Sequence, residues 1–223
     1  MFNKILKSSK EQAKLIGYSL IVMAVIAGFS LGYAFPFFID ESKKVFIAEI
    51  VLQEQLLYIL MLIGVLLVIA LDFLVSILLY LFFKQSNKII ALFSCALRIA
   101  YSFIFLMSFF FLIINVGENE NILIINNLNL FEKTWNIGLI VFGIHLFLLG
   151  LLMKFDKFIP DALSYITVFA GVSYFILHLL KVLSGGYPEL LFTLEKILVM
   201  PMVLGELGLA FWLLFKFKNN NEE

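Results

Sequence analysis

Long apolar runs separated by short polar connections dominate the chain between residues 15 and 216. Each run has about 20 residues or more, the length that a helix needs to cross the hydrocarbon core of a bilayer. The alternation typical of a membrane β-barrel is absent, which leaves helices as the spanning structure. The pattern predicts an all-α bundle of six transmembrane helices, forming a single integral membrane domain over residues 1–223. The predicted spans cover roughly residues 15–38, 55–83, 89–115, 136–154, 160–182 and 195–216.

The lysines in the connections predict the orientation of the bundle. If the N-terminus is cytoplasmic, ten lysines lie on the cytoplasmic side and five on the opposite side. Cytoplasmic connections of membrane proteins carry an excess of basic residues. The count therefore predicts that both termini are cytoplasmic, and an even number of spans also places them on one side. In the outer connections, residues 45–52 and 122–131 are expected to form short segments on the membrane surface.

Composition agrees with this pattern and limits the classes of function. Of all residues 63% are hydrophobic and 14% are charged, whereas soluble domains are roughly half apolar and a quarter charged. The net charge is zero, so a nucleic-acid partner is not expected. The lipid bilayer and a small-molecule or lipid ligand are the expected partners. Nothing in the pattern indicates an oligomeric state.

Four ionisable residues interrupt the predicted spans, namely Asp72, Arg98, His145 and Glu206. A helical rise of about 1.5 Å per residue places all four roughly 14–18 Å from the nearest cytoplasmic lysine on their helices. They therefore share one level, in the cytoplasmic half or near the midplane. Ionised groups at this depth are costly unless they are paired or reach water. The sequence predicts a buried polar layer, with Asp72 and Arg98 as an ion pair.

Other polar side chains accompany this layer at helical spacing. Residues four apart lie on one face of a helix, and hydroxyl groups on a lipid-facing side would lack partners. These faces are therefore predicted to point into the bundle. The supporting residues are Ser76, Tyr80, Ser94, Ser102, Tyr174 and His178.

Small residues and one proline predict local features of two helices. Ala24, Gly28 and Gly32 form a face of small residues on the first span, which we interpret as a site of close helix packing. Pro201 lies just over one turn before Glu206 and removes a backbone hydrogen bond from its helix. We expect a kink there to open space beside the Glu206 carboxylate.

Motifs for catalysis and metal binding are absent from the sequence. His178 is predicted about 13 Å above His145, which is too far for the two residues to share a zinc ion with ligands near 2 Å. Nucleophile elbows, phosphate-binding loops and dinucleotide fingerprints are also missing. The sequence predicts no metal, no cofactor and no catalytic residue, and an enzyme is less favoured than a non-enzymatic protein.

Three interpretations of the polar layer stay open. The layer is a structural ion pair supported by His145 and Glu206, a pocket for a small or lipidic ligand, or a path for protons or ions. In the leading hypothesis, the layer binds a small or lipidic molecule, with Arg98 as the anion-binding or pairing centre, or it holds the bundle together for an accessory or sensing role. In the transport hypothesis, a small proton-coupled carrier titrates Glu206 and uses His145 as its relay.

Several segments resemble a known family of membrane proteins. They are an Asp followed by LLYLFF, then IALFSCALRIAYS, GLIVFGIHLFLLGLLMKFDKFIP and GELGLAFWLLFK. Over about residues 12–217 the chain resembles the bacterial domain-of-unknown-function 4386 family, and all four ionisable positions match in order. The resemblance implies a multi-pass protein of the bacterial cytoplasmic (inner) membrane with six helices. It implies no activity.

Overall fold

A computed structural model describes residues 9–184 and 189–216. The remaining parts of the predicted domain, residues 1–8, 185–188 and 217–223, lie outside the described residues. The described chain contains helices and no strand, so the all-α prediction is confirmed. The α-helices are α1 (Ser9–Phe29), α2 (Phe35–Ile39), α3 (Ile47–Gln53), α4 (Gln55–Phe83), α5 (Lys88–Ile114), α6 (Asn121–Phe155), α7 (Asp161–Ser184) and α8 (Glu189–Phe215).

Six helical stretches among the described residues are long and apolar enough to cross a membrane. The first runs from Ser9 to Ile39 and combines α1 with α2, and the others lie in α4, α5, α6, α7 and α8. Large apolar side chains on the outside, such as Val25, Phe93 and Met107, are more than half exposed. This surface is typical of a multi-pass membrane protein, and the prediction of six spans is confirmed. The side of the membrane on which the termini lie stays a prediction.

The six spanning helices form a closed ring. Each packs mainly on its neighbours in sequence, and α8 returns to pack against α1. Two tight turns on one side join α4 to α5 and α6 to α7. Asn87 caps α5 by accepting a hydrogen bond from the Ile90 nitrogen at 3.1 Å. Ser86 donates to Asp156 at 3.3 Å and so connects the two turns.

A close helix crossing in the ring joins α6 to α7 through two glycines. A Cβ atom on Gly143 would lie 2.6 Å from the Phe175 nitrogen, and one on Gly171 would lie 2.5 Å from the Phe147 nitrogen. Ser164 also donates a hydrogen bond to the Gly150 carbonyl at 2.6 Å. Side chains larger than hydrogen would therefore separate these backbones, which pack here without intervening side chains.

The first span departs from the close packing predicted for it. A Cβ atom on Gly28 or Gly32 would have no heavy atom within 4 Å, so the expected helix contact at these two positions is wrong. A π-helical turn, Ser30–Ala34, interrupts the span between α1 and α2. Such turns insert a residue into a helix and are frequent at functional sites. Gly28 and Gly32 border open space, whereas Ser30 between them is buried against Gly64 of α4.

The connections on the side opposite the tight turns are folded onto the bundle. A 3-10 helix, Glu41–Phe46, and α3 occupy the region of the first predicted surface segment. The second predicted segment, residues 122–131, is part of α6, which continues without a break to Phe155. Asn121 accepts a hydrogen bond from the Ala48 nitrogen at 2.8 Å and donates to the Val45 carbonyl at 2.9 Å. The start of α6 therefore fixes the segment that leads into α3.

Candidate functional site

Arg98, the only arginine in the chain, lies fully buried inside the ring. Its Nε and Nη2 atoms both donate to Oδ1 of Asp72, at 3.0 and 2.7 Å. Its Nη1 atom donates to Oε1 of Glu206. A guanidinium offers several donors in a fixed plane and is suited to binding two carboxylates at once. A single side chain on α5 thereby connects α4 to α8.

His145 completes this group from α6. Its Nε2 atom is 3.2 Å from Nη1 of Arg98, and its Nδ1 atom is 2.9 Å from the carbonyl of Ser94. Because the guanidinium only donates and the carbonyl only accepts, Nε2 is the acceptor and Nδ1 carries the proton. His145 is therefore neutral. We call Asp72, Arg98, His145 and Glu206 the Arg98 cluster.

The Arg98 cluster carries more negative than positive groups. Two carboxylates and one guanidinium give a formal charge of −1 when both acids are ionised and the imidazole is neutral. Both Arg98 contacts to Asp72 use Oδ1, and the contact to Glu206 uses Oε1. The guanidinium thus leaves one oxygen of each carboxylate unengaged. A proton or a positively charged group would remove the surplus charge, which is costly within a membrane.

A cavity of about 440 Å³ lies beside the Arg98 cluster, between α1 and α8. We call it the inner cavity. Asp72 and Glu206 line it, and Glu206 is the more exposed of the two, at 17% against 2%. Most of the remaining wall is apolar and includes Met23, Val68 and Phe142. The inner cavity therefore combines an acidic polar end with a hydrocarbon-like body.

A larger cavity of about 760 Å³ lies towards the side opposite the tight turns. We call it the outer cavity. Its wall contains charged and polar residues, among them Glu132, Asn136, His178 and Lys181. It shares part of its wall with the inner cavity, and the shared residues are Leu31, Trp135, Leu139, Tyr174 and Met202. The two cavities are adjacent and together extend from the Arg98 cluster to the outer connections.

A sequence model of a domain of unknown function, DUF4386, matches residues 15–216. This chain belongs to the DUF4386 family. The resemblance inferred from the sequence is confirmed, and the matched residues include the whole Arg98 cluster. A protein of Archaeoglobus fulgidus described as "Uncharacterized protein" is 31% identical over 160 residues, which cover 72% of this chain and 85% of that protein. No solved structure matches the chain.

The supporting residues of this DUF4386 protein fall into two groups. Ser94 contacts His145 through its hydroxyl at 2.9 Å, and Tyr174 lines both cavities. Ser102 donates instead to the backbone carbonyl of Arg98 at 2.8 Å. The other three have contacts elsewhere. Ser76 donates to a carbonyl of its own helix, Tyr80 packs partly buried against the apolar core, and His178 lines the outer cavity.

Two neighbours of Arg98 were not predicted from the sequence because their side chains are apolar. The sulfur of Met23 lies 4.0 Å from Nη2, and the ring of Phe142 lies 5.3 Å from the guanidinium carbon. A guanidinium over an aromatic face gains a cation–π attraction. Phe142 lies three residues before His145, on the same face of α6. The spacing of three residues from His145 is the feature of the sequence that indicates a position of Phe142 near Arg98.

The DUF4386 protein brings together few side chains that bind metals. In residues 9–184 and 189–216, no group of three His, Cys, Asp or Glu side chains is arranged to hold a metal ion. The two histidines lie apart. His145 belongs to the Arg98 cluster, and His178 contacts Asn136 beside the outer cavity.

Proposed function

We propose that this DUF4386 protein is a non-enzymatic membrane protein that binds a small or lipidic amphipathic molecule in the inner cavity. The cationic group of that molecule lies against Glu206, and its apolar part lies along the cavity wall. The observation that supports this proposal is a partly exposed carboxylate at the end of an otherwise apolar cavity. Binding pockets for small molecules commonly combine an apolar wall with a few convergent polar groups.

The charges around Arg98 support a cation instead of an anion. Asp72, Glu206 and His145 already accept hydrogen bonds from the guanidinium, and Met23 contacts its remaining side. An incoming anion would have to displace one of these partners. A cation would use the unengaged oxygen of Glu206 and would neutralise the cluster. Of the two roles considered for Arg98, pairing is therefore favoured over anion binding.

Thermal unfolding in lipid nanodiscs, with matched long-chain probes, tests this proposal. A molecule that binds only the folded state raises its stability according to its concentration and affinity. Dodecylamine is expected to raise the melting temperature, whereas dodecanoate, with the same chain and a negative head, is not. Glu206→Gln should remove most of the rise. Equal effects of the two probes, or an undiminished rise in the variant, would contradict the proposal.

A pair of glycine variants provides the steric control. Gly28 lines the inner cavity and Gly32 does not, and both have open space where a Cβ atom would lie. Gly28→Leu is expected to fold normally and to abolish the dodecylamine effect by filling the cavity. Gly32→Leu should retain the effect. If both variants behave alike, the probe acts through the bilayer and not through the inner cavity.

A second candidate function is a small proton-coupled carrier that uses Glu206 as its titrating group. The adjacency of the two cavities and the surplus carboxylate favour it. His145 is less suited to the relay predicted for it, because both ring nitrogens are occupied and the side chain is fully buried. Cysteines introduced at Met202 and Val203, in a Cys95→Ser background, would test this candidate. A carrier should expose them to impermeant thiol reagents from both sides, in alternation.

A further inference from the structure

His178 has a hydrogen-bonding atom that the protein itself does not use. The side chain on α7 is only 5% exposed, and its Nδ1 atom lies 2.6 Å from Oδ1 of Asn136. An amide oxygen only accepts, so Nδ1 carries the proton and Nε2 is an acceptor. Nε2 is buried and has no partner within the part of the chain that the structure describes. Buried polar atoms are nearly always paired, and an unpaired one requires an explanation.

The neighbours of His178 hold its ring in one orientation. Tyr174 stacks against the imidazole, with ring centroids 5.7 Å apart and planes inclined by 20°. Asn136, which lies on α6, holds the Nδ1 atom of His178 through a hydrogen bond. The unpaired nitrogen thus has a defined orientation, and the His178 side chain lines the outer cavity, whose volume of about 760 Å³ accommodates a small organic molecule.

Charges around the outer cavity restrict what this nitrogen binds. Lys181 lies three residues further along α7 and forms an ion pair with Glu195 at 2.7 Å. Lys44 and Glu132 also line the wall. A neutral imidazole next to a lysine is a poor partner for a second cation. A neutral hydroxyl group satisfies Nε2 without adding charge.

We propose that the outer cavity is a second binding site, in which Nε2 of His178 accepts a hydrogen bond from the hydroxyl group of a small amphipathic molecule. The proposal extends the proposed function to a different cavity, but its polar contact rests on His178, which does not line the inner cavity. The apolar residues shared by the two cavities, Trp135 and Leu139 among them, would contact the hydrocarbon part of the alcohol.

Chemical modification of the unaltered protein tests whether Nε2 is free and accessible. Diethyl pyrocarbonate acylates an unprotonated imidazole nitrogen, and the chain has only two histidines. His178 is expected to react, whereas His145, with both nitrogens engaged, serves as the internal control. The alcohol 2,2,2-trichloroethanol should halve the reaction rate at about fivefold lower concentration than 1,1,1-trichloroethane, a difference in affinity that corresponds to one neutral hydrogen bond. An unreactive His178, or equal protection by both compounds, would overturn the proposal.

Quenching of Trp135 fluorescence locates the bound alcohol. In a Trp212→Phe background Trp135 is the only tryptophan, and it lies in the shared wall. Trichloroethanol should quench it at about fivefold lower concentration than trichloroethane. His178→Phe should abolish this difference, and Gly28→Leu should preserve it. If Gly28→Leu abolishes the difference and His178→Phe preserves it, the alcohol binds in the inner cavity and the proposal is overturned. The dodecylamine experiment tests the inner cavity separately.

Discussion

Arg98 connects its own helix to the preceding helix and to the last helix of the bundle. It contacts Asp72 at a separation of 26 residues and Glu206 at a separation of 108 residues. A lysine would offer a compact charge, whereas the planar guanidinium donates in several directions at once. Removal of one partner from a buried ion pair leaves an uncompensated charge, which is more damaging than the loss of the pair itself.

Replacement of Arg98 by methionine tests this role. Arg98→Met keeps an apolar chain of similar length but leaves the buried Asp72 and the partly exposed Glu206 without their donor. We expect it to lower the free energy of unfolding by about 3–5 kcal/mol, as measured by denaturant unfolding in mixed micelles. Lys154→Met is the control, because Lys154 pairs with Asp161 at the surface, with side chains 38% and 67% exposed. A control variant as unstable as Arg98→Met would contradict this role.

The two carboxylates of the cluster should respond differently to neutralisation. Asp72→Asn and Glu206→Gln each give the cluster a formal charge of zero, so charge alone does not distinguish them. Asp72 accepts two hydrogen bonds from Arg98 and is nearly inaccessible, whereas Glu206 accepts one and borders the inner cavity. We expect a clearly lower melting temperature for Asp72→Asn, and an unchanged or higher one for Glu206→Gln. The opposite order would show that Glu206 is the structural partner.

Helices in this ring differ in how closely they approach one another. At the crossing of α6 and α7, Gly143 and Gly171 leave backbone against backbone, whereas Gly28 and Gly32 on the first span border empty space. Glycines therefore have opposite structural consequences in the two places. Composition indicates where close contact is sterically permitted, and the neighbouring helix decides whether contact occurs.

The glycine crossing gives a prediction at the scale of the helix pair. Gly171→Ala introduces a methyl group where backbone atoms would lie 2.5 Å away, so α6 and α7 must separate. We expect a loss of about 1–3 kcal/mol in unfolding free energy, the usual range for overpacking. Gly32→Ala is the matched control and should not destabilise. Equal stability of the two variants would mean that the crossing adjusts without strain.

Hydropathy predicted the helices better than it predicted their ends and interruptions. The spans and the level of the four ionisable residues followed from apolar length and helical rise. The continuation of α6 through residues 122–131 did not, because an amphipathic segment of apolar residues and asparagines shows the same pattern whether it lies on the membrane surface or extends a helix. The π-helical turn at Ser30–Ala34 was also missed, since it depends on backbone hydrogen bonding and not on the type of side chain.

The closed ring explains why the Arg98 cluster includes Glu206. Helical rise placed Glu206 at the right level, but level alone does not specify which helices are neighbours. Only the return of α8 to α1 brings the last helix within reach of the residues on α4 and α5. The cavities were likewise beyond the sequence, because they arise where the first span and α8 fail to fill the space between them.

Topology gives a prediction for the whole molecule. The lysine count predicts that the turn after α4 is cytoplasmic and that the connection before α6 is external. In a Cys95→Ser background, Asn119→Cys should react with an impermeant maleimide in intact cells. Gln85→Cys should react only after lysis. Both positions are accessible at the surface of the structure, so burial does not account for a difference. The inverse labelling pattern would reverse the predicted orientation.

The long sequence separation within the Arg98 cluster has a consequence for biogenesis. Asp72 and Arg98 lie on successive helices joined by a tight turn, so they can enter the membrane together as a hairpin whose buried charges cancel. Glu206 is synthesised 108 residues after Arg98, and it adds the surplus negative charge only when α8 is inserted. A nascent chain that ends before α8 would therefore already hold a neutral core. The protein therefore acquires its acidic cavity at the step in which the last helix is inserted.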